Sequence, residues 1–117
     1  MKEATKSARQ GEAVFFAVDA VPEGAKEVKP QAGHHVVAHS ETGHHHIIGA
    51  DGVTMWEHPT NPLVCFLRME TVTQMDVEHL RAHDTHETLR LLGKPGKVWQ
   101  RNIQREWTPD GWRRVAD

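Results

Sequence analysis

Short runs of β-branched and aromatic residues, each closed by turn-forming residues, recur through most of this chain. From Gly33 the runs are GHHVVAHS, HHHII and VTMWEH, separated by ETG, GADG and PTNP, so that turns recur every 6 to 10 residues. Runs of this length and spacing are typical of antiparallel strands joined by tight turns. A helical domain would need longer segments with a period of about 3.6 residues. The pattern therefore predicts an all-β fold.

Three further segments extend the series of strands. EAVFFAVDAV (12–21) stops at PEG, and LVCFLRMETVTQM (63–75) continues the meander. In KVWQRNIQREW (97–107), apolar or basic residues alternate with polar ones from Trp99 onwards. In a strand, this last alternation places Trp99, Arg101, Ile103, Arg105 and Trp107 on one face. Together the segments predict a small β-barrel or β-sandwich of about seven or eight strands.

The 117 residues suffice for a single domain. Residues 1–10 are polar and lack apolar periodicity, which predicts a flexible N-terminal arm followed by a single domain over 11–117. The small size also favours a homodimer or a bound metal as an additional source of stability.

The segment 76–92 fits two interpretations. Its composition, with Asp76 at the start and Gly93 just beyond the end, is typical of one short capped helix. Read as an extended chain, His86 to Leu92 forms a strand with Leu89 and Leu91 on one face. We favour a loop followed by this strand, with the helix as the alternative.

Bulk features predict a cytoplasmic protein outside the membrane. The chain has no apolar run near 18 residues, and its first twelve residues lack the apolar segment of a secretory signal. The lone Cys65 has no partner for an internal disulfide, and its surroundings, LVCFL, favour a buried, inert thiol.

The segment HSETGHHHII places four histidines in ten positions. Alternation along a strand puts His44 and His46 on one face and His45 on the other. Two imidazoles at this spacing can reach a single ion, and neutral imidazole is a common ligand of zinc, copper, nickel and iron. The pattern predicts that His44 and His46 are metal ligands.

A second histidine pair lies about forty residues further along, in HLRAHDTHE. His83 and His86 converge in either conformation of this segment, and a helix would also align His79 with them. For His34, His35, His45 and His58, taken singly, a solvated or hydrogen-bonded side chain is the simpler interpretation. The predicted metal ligands are therefore His44, His46, His83 and His86, which makes 11–117 a metal-binding domain.

Several segments together resemble a family of small, uncharacterised bacterial and phage proteins. They are RQGEAVFFAVDAVPEGAKEV, VVAHSETGHHHI, HDTHETLRL, PGKVWQRNIQREW and RRVAD, where the family pattern has R-Q-G-D, T-G-H-x-H, H-E-E-H and a strand ending Q-R-E-Y. The resemblance runs from Arg9 to the C-terminus and selects the same four histidines. Glu12 and Trp107 depart from the pattern's Asp and Tyr, and LGKPG is two residues longer than the usual turn.

The arrangement is also similar in outline to cupins, although the glycine-rich cupin spacing is absent. Cupins are β-barrels in which a His-x-His pair, a carboxylate and a later histidine hold a metal. This similarity is an architectural analogy, and it implies a cupin-like interior site without fixing the activity.

The four predicted histidine ligands are compatible with two kinds of metal site, structural and catalytic. A closed site of four imidazoles would be structural, whereas an open position beside Glu87 or Glu41 would be catalytic. We predict one divalent metal, with zinc favoured and iron, copper, nickel or manganese left open. The favoured function is a metal-dependent hydrolase acting on a small molecule through metal-activated water, with oxygen chemistry as a variant.

Two non-enzymatic functions remain as alternatives. One is a phage-related accessory protein in which the metal only stabilises the fold. The other is a nucleic-acid-binding module, because residues 90–117 hold 7 basic and 3 acidic side chains and aromatic and basic residues of this kind stack on bases and contact phosphates. Its candidate residues are Trp99, Arg101, Arg105, Trp107, Trp112, Arg113 and Arg114.

Overall fold

The computed structural model describes residues 1–39, 45–79, 87–108 and 111–114, with only the backbone described for 105–108 and 111–114. All regular secondary structure in these ranges is β-strand, which confirms the all-β prediction. No helix within them is long and apolar enough to cross a bilayer.

Thirteen strands are present in the described ranges, more than the seven or eight predicted, because several have only three or four residues. In chain order they are β1 (Lys2–Ala4), β2 (Ser7–Gln10), β3 (Ala13–Val18), β4 (Lys26–Val28), β5 (His34–Ala38), β6 (His46–Gly49), β7 (Val53–Glu57), β8 (Val64–Met69), β9 (Gln74–His79), β10 (Leu89–Leu92), β11 (Val98–Ile103), β12 (Arg105–Thr108) and β13 (Gly111–Arg114).

The strands form two sheets and a separate hairpin. Sheet 1 has the order β1-β10-β9-β6-β5, sheet 2 has the order β2-β3-β11-β8-β7-β4, and β12 pairs with β13. All neighbours are antiparallel except β1 and β10, which are parallel. Five of the ten pairings join strands that are consecutive in the chain, and a short connection between such strands requires antiparallel order.

The two sheets pack face to face as a sandwich around one main core. Apolar side chains alternate along each strand, so one face of each sheet turns inward and is removed from water. The largest fully buried apolar side chains come from both sheets: Phe15, Leu67, Met69, Trp99, Ile48, Leu89 and Leu91.

Of the two predicted architectures, barrel and sandwich, the described strands form the sandwich. Each sheet ends in edge strands, β1 and β5 in sheet 1 and β2 and β4 in sheet 2, so neither sheet closes on itself. The closed barrel that the cupin analogy implies is therefore not the architecture of these strands.

The N-terminal residues differ from the predicted flexible arm in having two strands. β1 pairs with β10, and β2 pairs with β3, where Gln10 is buried. Backbone hydrogen bonds to a neighbouring strand need no apolar periodicity in the added strand, which is why the sequence pattern did not indicate them.

For the segment 76–92, the described residues favour the strand over the helix. β9 runs through His79, and β10 begins at Leu89, with Leu89 and Leu91 buried as the extended interpretation predicted. The helix alternative is wrong for both strands, since β9 and β10 pair with each other. Residues 80–86 lie outside the described ranges.

The predicted strand 97–107 is divided at Gln104. Trp99, Arg101 and Ile103 are buried on one face of β11, as the alternation predicted. The backbone N–H of Gln104 then donates to the carbonyl of Glu12, and the chain enters the β12–β13 hairpin. The extension to Trp107 as one strand was wrong, because residues 105–108 pair with β13 and not with the neighbours of β11.

Candidate functional site

Two histidines from neighbouring strands of sheet 1 stack inside the sandwich. His46 begins β6 and His79 ends β9, and the register places them directly opposite each other. Their ring centroids are 4.2 Å apart with an angle of 14° between the rings. His46 is fully buried and His79 is 4% exposed. They reach this position because each alternates with inward apolar residues, Ile48 in β6 and Val77 in β9.

Gln10 fixes the ring orientation and the tautomer of His46. Its Nε2 donates to the carbonyl oxygens of Val77 (2.9 Å) and Glu87 (3.0 Å), so both amide hydrogens have acceptors. Its Oε1 therefore faces Nδ1 of His46 at 2.7 Å. Because an amide oxygen can only accept, Nδ1 carries the hydrogen. In the neutral ring, Nε2 of His46 then has a lone pair, the form in which imidazole binds a metal.

The two histidine-bearing segments of the sequence prediction adjoin this pair in the sequence. Residues 40–44 lead directly to His45 and His46, while residues 80–86 follow His79 and end at Glu87, whose carbonyl binds Gln10. His46 is the one predicted ligand in the described ranges. His44, His83 and His86, together with Glu41, lie outside them.

Glu87, the other predicted catalytic carboxylate, lies at the surface. Its side chain forms an ion pair with the N-terminal ammonium of Met1. That hydrogen bond and charge lower the pKa of Glu87 below its ordinary value. The carboxylate is therefore ionised near neutral pH, while the backbone carbonyl of the same residue faces inward to Gln10.

A further histidine pair flanks the undescribed segment 40–44. The rings of His39 and His45 meet edge to face with centroids 5.0 Å apart. Partial burial, with repulsion from His45 and Arg101, lowers the pKa of His39. The low pKa favours a neutral imidazole at this end of the sandwich.

A polar row crosses the inner face of sheet 2 at the same end. The strand register aligns Glu57, Cys65 and Arg101 on β7, β8 and β11. Cys65 is a free, buried thiol, and Arg101 is 8% exposed, with its Nη1 donating to the carbonyl of Leu63 at 3.1 Å. Burial raises the pKa of Cys65, although the adjacent Arg101 opposes the shift.

We expect Cys65 to resist thiol reagents in the folded protein, because burial keeps it protonated and inaccessible. Ellman's reagent should detect one thiol per chain in denaturant and react far more slowly with the native protein. Equal rates under the two conditions would contradict a buried, inert thiol.

The aromatic and basic cluster proposed for nucleic-acid binding is partly in the core. Trp99 has no exposed surface and Arg101 very little, so neither presents a face on which bases could stack. Of Arg105, Trp107, Trp112, Arg113 and Arg114, only the backbone is described.

Sequence reasoning missed Gln10 and left His79 out of the ligand set. No local pattern marks Gln10, which lies in the segment predicted to be a flexible arm. His79 carries a usable signal, since it is the last inward position of the alternating strand that begins at Gln74. Within the described ranges, no group of three or more His, Cys, Asp or Glu side chains is placed to hold a metal.

The fold and this site define a small β-sandwich protein with a stacked, hydrogen-bonded histidine pair at one end. The model of a domain of unknown function (DUF8820) matches residues 9–104, and the chain belongs to that family. No curated protein and no solved structure matches the chain.

Proposed function

We propose that this protein binds one divalent transition metal at the end of the sandwich where His46 lies, with His44, His46, His83 and His86 as ligands. The observation that supports the proposal most directly is the hydrogen bond from His46 Nδ1 to Gln10, which makes Nε2 the lone-pair nitrogen of the neutral ring. An outer hydrogen-bond partner that fixes the ring in this way is a regular feature of metal-binding histidines.

The connectivity of sheet 1 supports the choice of the other ligands. His44 is two residues before His46, and the segment with His83 and His86 begins one residue after His79, the stacking partner of His46. A site of neutral imidazoles favours zinc, with iron, copper, nickel and manganese as the other candidates.

The proposed activity is hydrolysis of a small molecule. The metal would supply a bound water of lowered pKa. The residues of the chain would then have distinct roles: Gln10 orients His46, His79 packs against its ring, and a carboxylate, Glu41 or Glu87, would accept a proton. The variant with iron or copper and oxygen chemistry uses the same ligands, which is the part of the cupin analogy that we retain.

A second candidate function is a metal that only stabilises the fold, as in an accessory protein of phage origin. The complete burial of His46 favours this candidate, because a closed structural site excludes solvent from its ligands. The free thiol of Cys65 accords with a reducing compartment, and we propose a cytoplasmic location. We also propose a homodimer, because so small a domain gains stability from association.

Elemental analysis of untagged protein tests the metal site. We expect about one metal ion per chain in the wild type and a large loss in His44→Ala and His83→Ala, because a tetrahedral site needs all its ligands. His34→Ala is the matched control, since His34 is exposed and outside the proposed set. Undiminished metal in both ligand variants would overturn the proposal.

Chelation separates the two candidate functions. A hydrolase should turn over ester or phosphoester substrates and lose that turnover with a chelator while it remains folded. If the metal is structural, its removal by a chelator should lower the melting temperature, and the metal-loaded protein should show no turnover.

A further inference from the structure

A cleft of about 490 Å³ lies between the two sheets, bordered by β5 of sheet 1 and by β7, β8 and β11 of sheet 2. Its size falls in the range of small-molecule sites. His46, the one proposed metal ligand in the described ranges, is not among the residues that line the cleft, and none of the cleft residues named below is a proposed metal ligand.

Arg101 lines this cleft with part of its hydrogen-bonding capacity unused. Nη1 donates to the Leu63 carbonyl, but Nε is buried and meets no acceptor among the described residues. The nearest neighbour of Arg101 in the polar row of sheet 2 is the thiol of Cys65 on β8. The carboxylate of Glu57, on β7, lies one strand further away. A buried guanidinium is always charged, and without a paired anion it is strongly unfavourable.

His35 contributes a second buried polar atom from the opposite sheet. Its Nε2 donates to the carbonyl of Val53 at 2.7 Å, so Nδ1 is an acceptor in the neutral ring. This Nδ1 is buried and has no partner within the described part of the chain. Buried polar atoms are nearly always hydrogen-bonded, and one that is not requires an explanation such as an absent ligand.

The remaining lining is apolar on one side and weakly basic on the other. Val36, Met55 and Val64 provide apolar surface. Among the described lining residues, Lys29 and Arg101 outnumber the one carboxylate, Glu57, when the histidines are neutral. The lining therefore suits a molecule with an apolar body and a negative group.

We propose that the cleft binds a small carboxylic acid that has an apolar body and a hydroxyl or amino group next to its carboxylate. The carboxylate pairs with the guanidinium of Arg101, which matches it in shape and charge. The neighbouring donor hydrogen-bonds to Nδ1 of His35. The apolar body packs against Val36 and Met55. One ligand thus satisfies two buried groups that have no partner among the described residues.

Three related probes test this assignment by titration into ¹⁵N-labelled protein. Mandelate has a ring, a carboxylate and a hydroxyl; phenylacetate lacks the hydroxyl; phenylethanediol lacks the carboxylate. We expect saturable shifts of cleft amides with mandelate, weaker binding of phenylacetate and none of the diol. Inorganic phosphate binding as tightly as mandelate, or no binding of either acid at millimolar concentration, would overturn the proposal.

Two substitutions connect the binding to the named residues. Arg101→Lys should weaken mandelate binding by about tenfold or more, because an ammonium lacks the planar pair of N–H donors. Arg68→Lys, on the opposite face of sheet 2, should leave it unchanged. If Arg101→Lys does not fold, Lys29→Glu tests the contribution of positive charge in the cleft lining. We expect this variant to bind mandelate several-fold more weakly. Full affinity in Lys29→Glu and in any folded Arg101 variant would refute the site.

Discussion

Replacement of Trp99 by alanine should lower the free energy of unfolding by about 3–5 kcal/mol, the usual range for deletion of a buried Trp or Phe side chain. Trp99 has no exposed surface and lies in β11, between β3 and β8. The ammonium of Lys97 is 4.5 Å from the centre of its ring, within the range of a cation–π contact. Both sheets contribute side chains to the core cluster around Trp99, so the cavity left by the missing indole would lie between the sheets.

Urea unfolding followed by far-UV circular dichroism measures this loss. Trp99→Phe should cost clearly less, because it retains an aromatic ring and removes an indole N–H that has no acceptor among the described residues. Trp56→Ala is the matched control: Trp56 is half-buried with Arg68 over its ring, and we expect a loss of about 1 kcal/mol. Equal losses in Trp99→Ala and Trp56→Ala would contradict a core position for Trp99.

The position of Trp99 also shows what the sequence can establish about this fold. The alternation of Trp99, Arg101 and Ile103 with Gln100 and Asn102 is local, and it predicted correctly which side chains of β11 face inward. The same holds for Leu89 and Leu91 in β10. Side-chain alternation follows from backbone geometry alone, so it can be read without knowing the partner strand.

Strand order and sheet closure could not be read in this way. β1 joins β10 across most of the chain length, and β11 lies between β3 and β8. These pairings depend on contacts between distant segments, and no local pattern in residues 2–10 indicates them. The difference between a closed barrel and an open sandwich depends on the same long-range pairing.

The candidate site was likewise predictable in its local features and not in its long-range contacts. Alternation placed His46 on one face of its strand, which the structure shows to be buried, and the strand pairing then revealed His79 as its neighbour. The role of Gln10 depends on three partners, His46, Val77 and Glu87, each more than thirty positions away in sequence. A glutamine in a polar segment carries no signal of such a role until the register of the strands is known.

Replacement of Gln10 by leucine tests both this network and the proposed metal site. The substitution keeps approximate volume but removes the partners of the Val77 carbonyl, the Glu87 carbonyl and His46 Nδ1. Each buried group left unsatisfied costs about 1–3 kcal/mol, and partial relaxation leads us to expect a total loss of about 2–4 kcal/mol. Metal affinity should fall by about 10–100-fold, because His46 would no longer be held in one tautomer and orientation.

The two effects can be measured separately. Urea unfolding with a chelator present reports the hydrogen-bond network alone, and competition with a chromogenic chelator reports metal affinity under folded conditions. Gln100→Leu is the matched control, since Gln100 is half-buried in β11 and its amide bonds only Asn102 among the described side chains. It should change neither quantity by more than about 0.5 kcal/mol, the range of ordinary surface substitutions. A loss of stability in Gln10→Leu with unchanged metal affinity would show that His46 is not a ligand, because only a bound imidazole depends on the orientation that Gln10 provides.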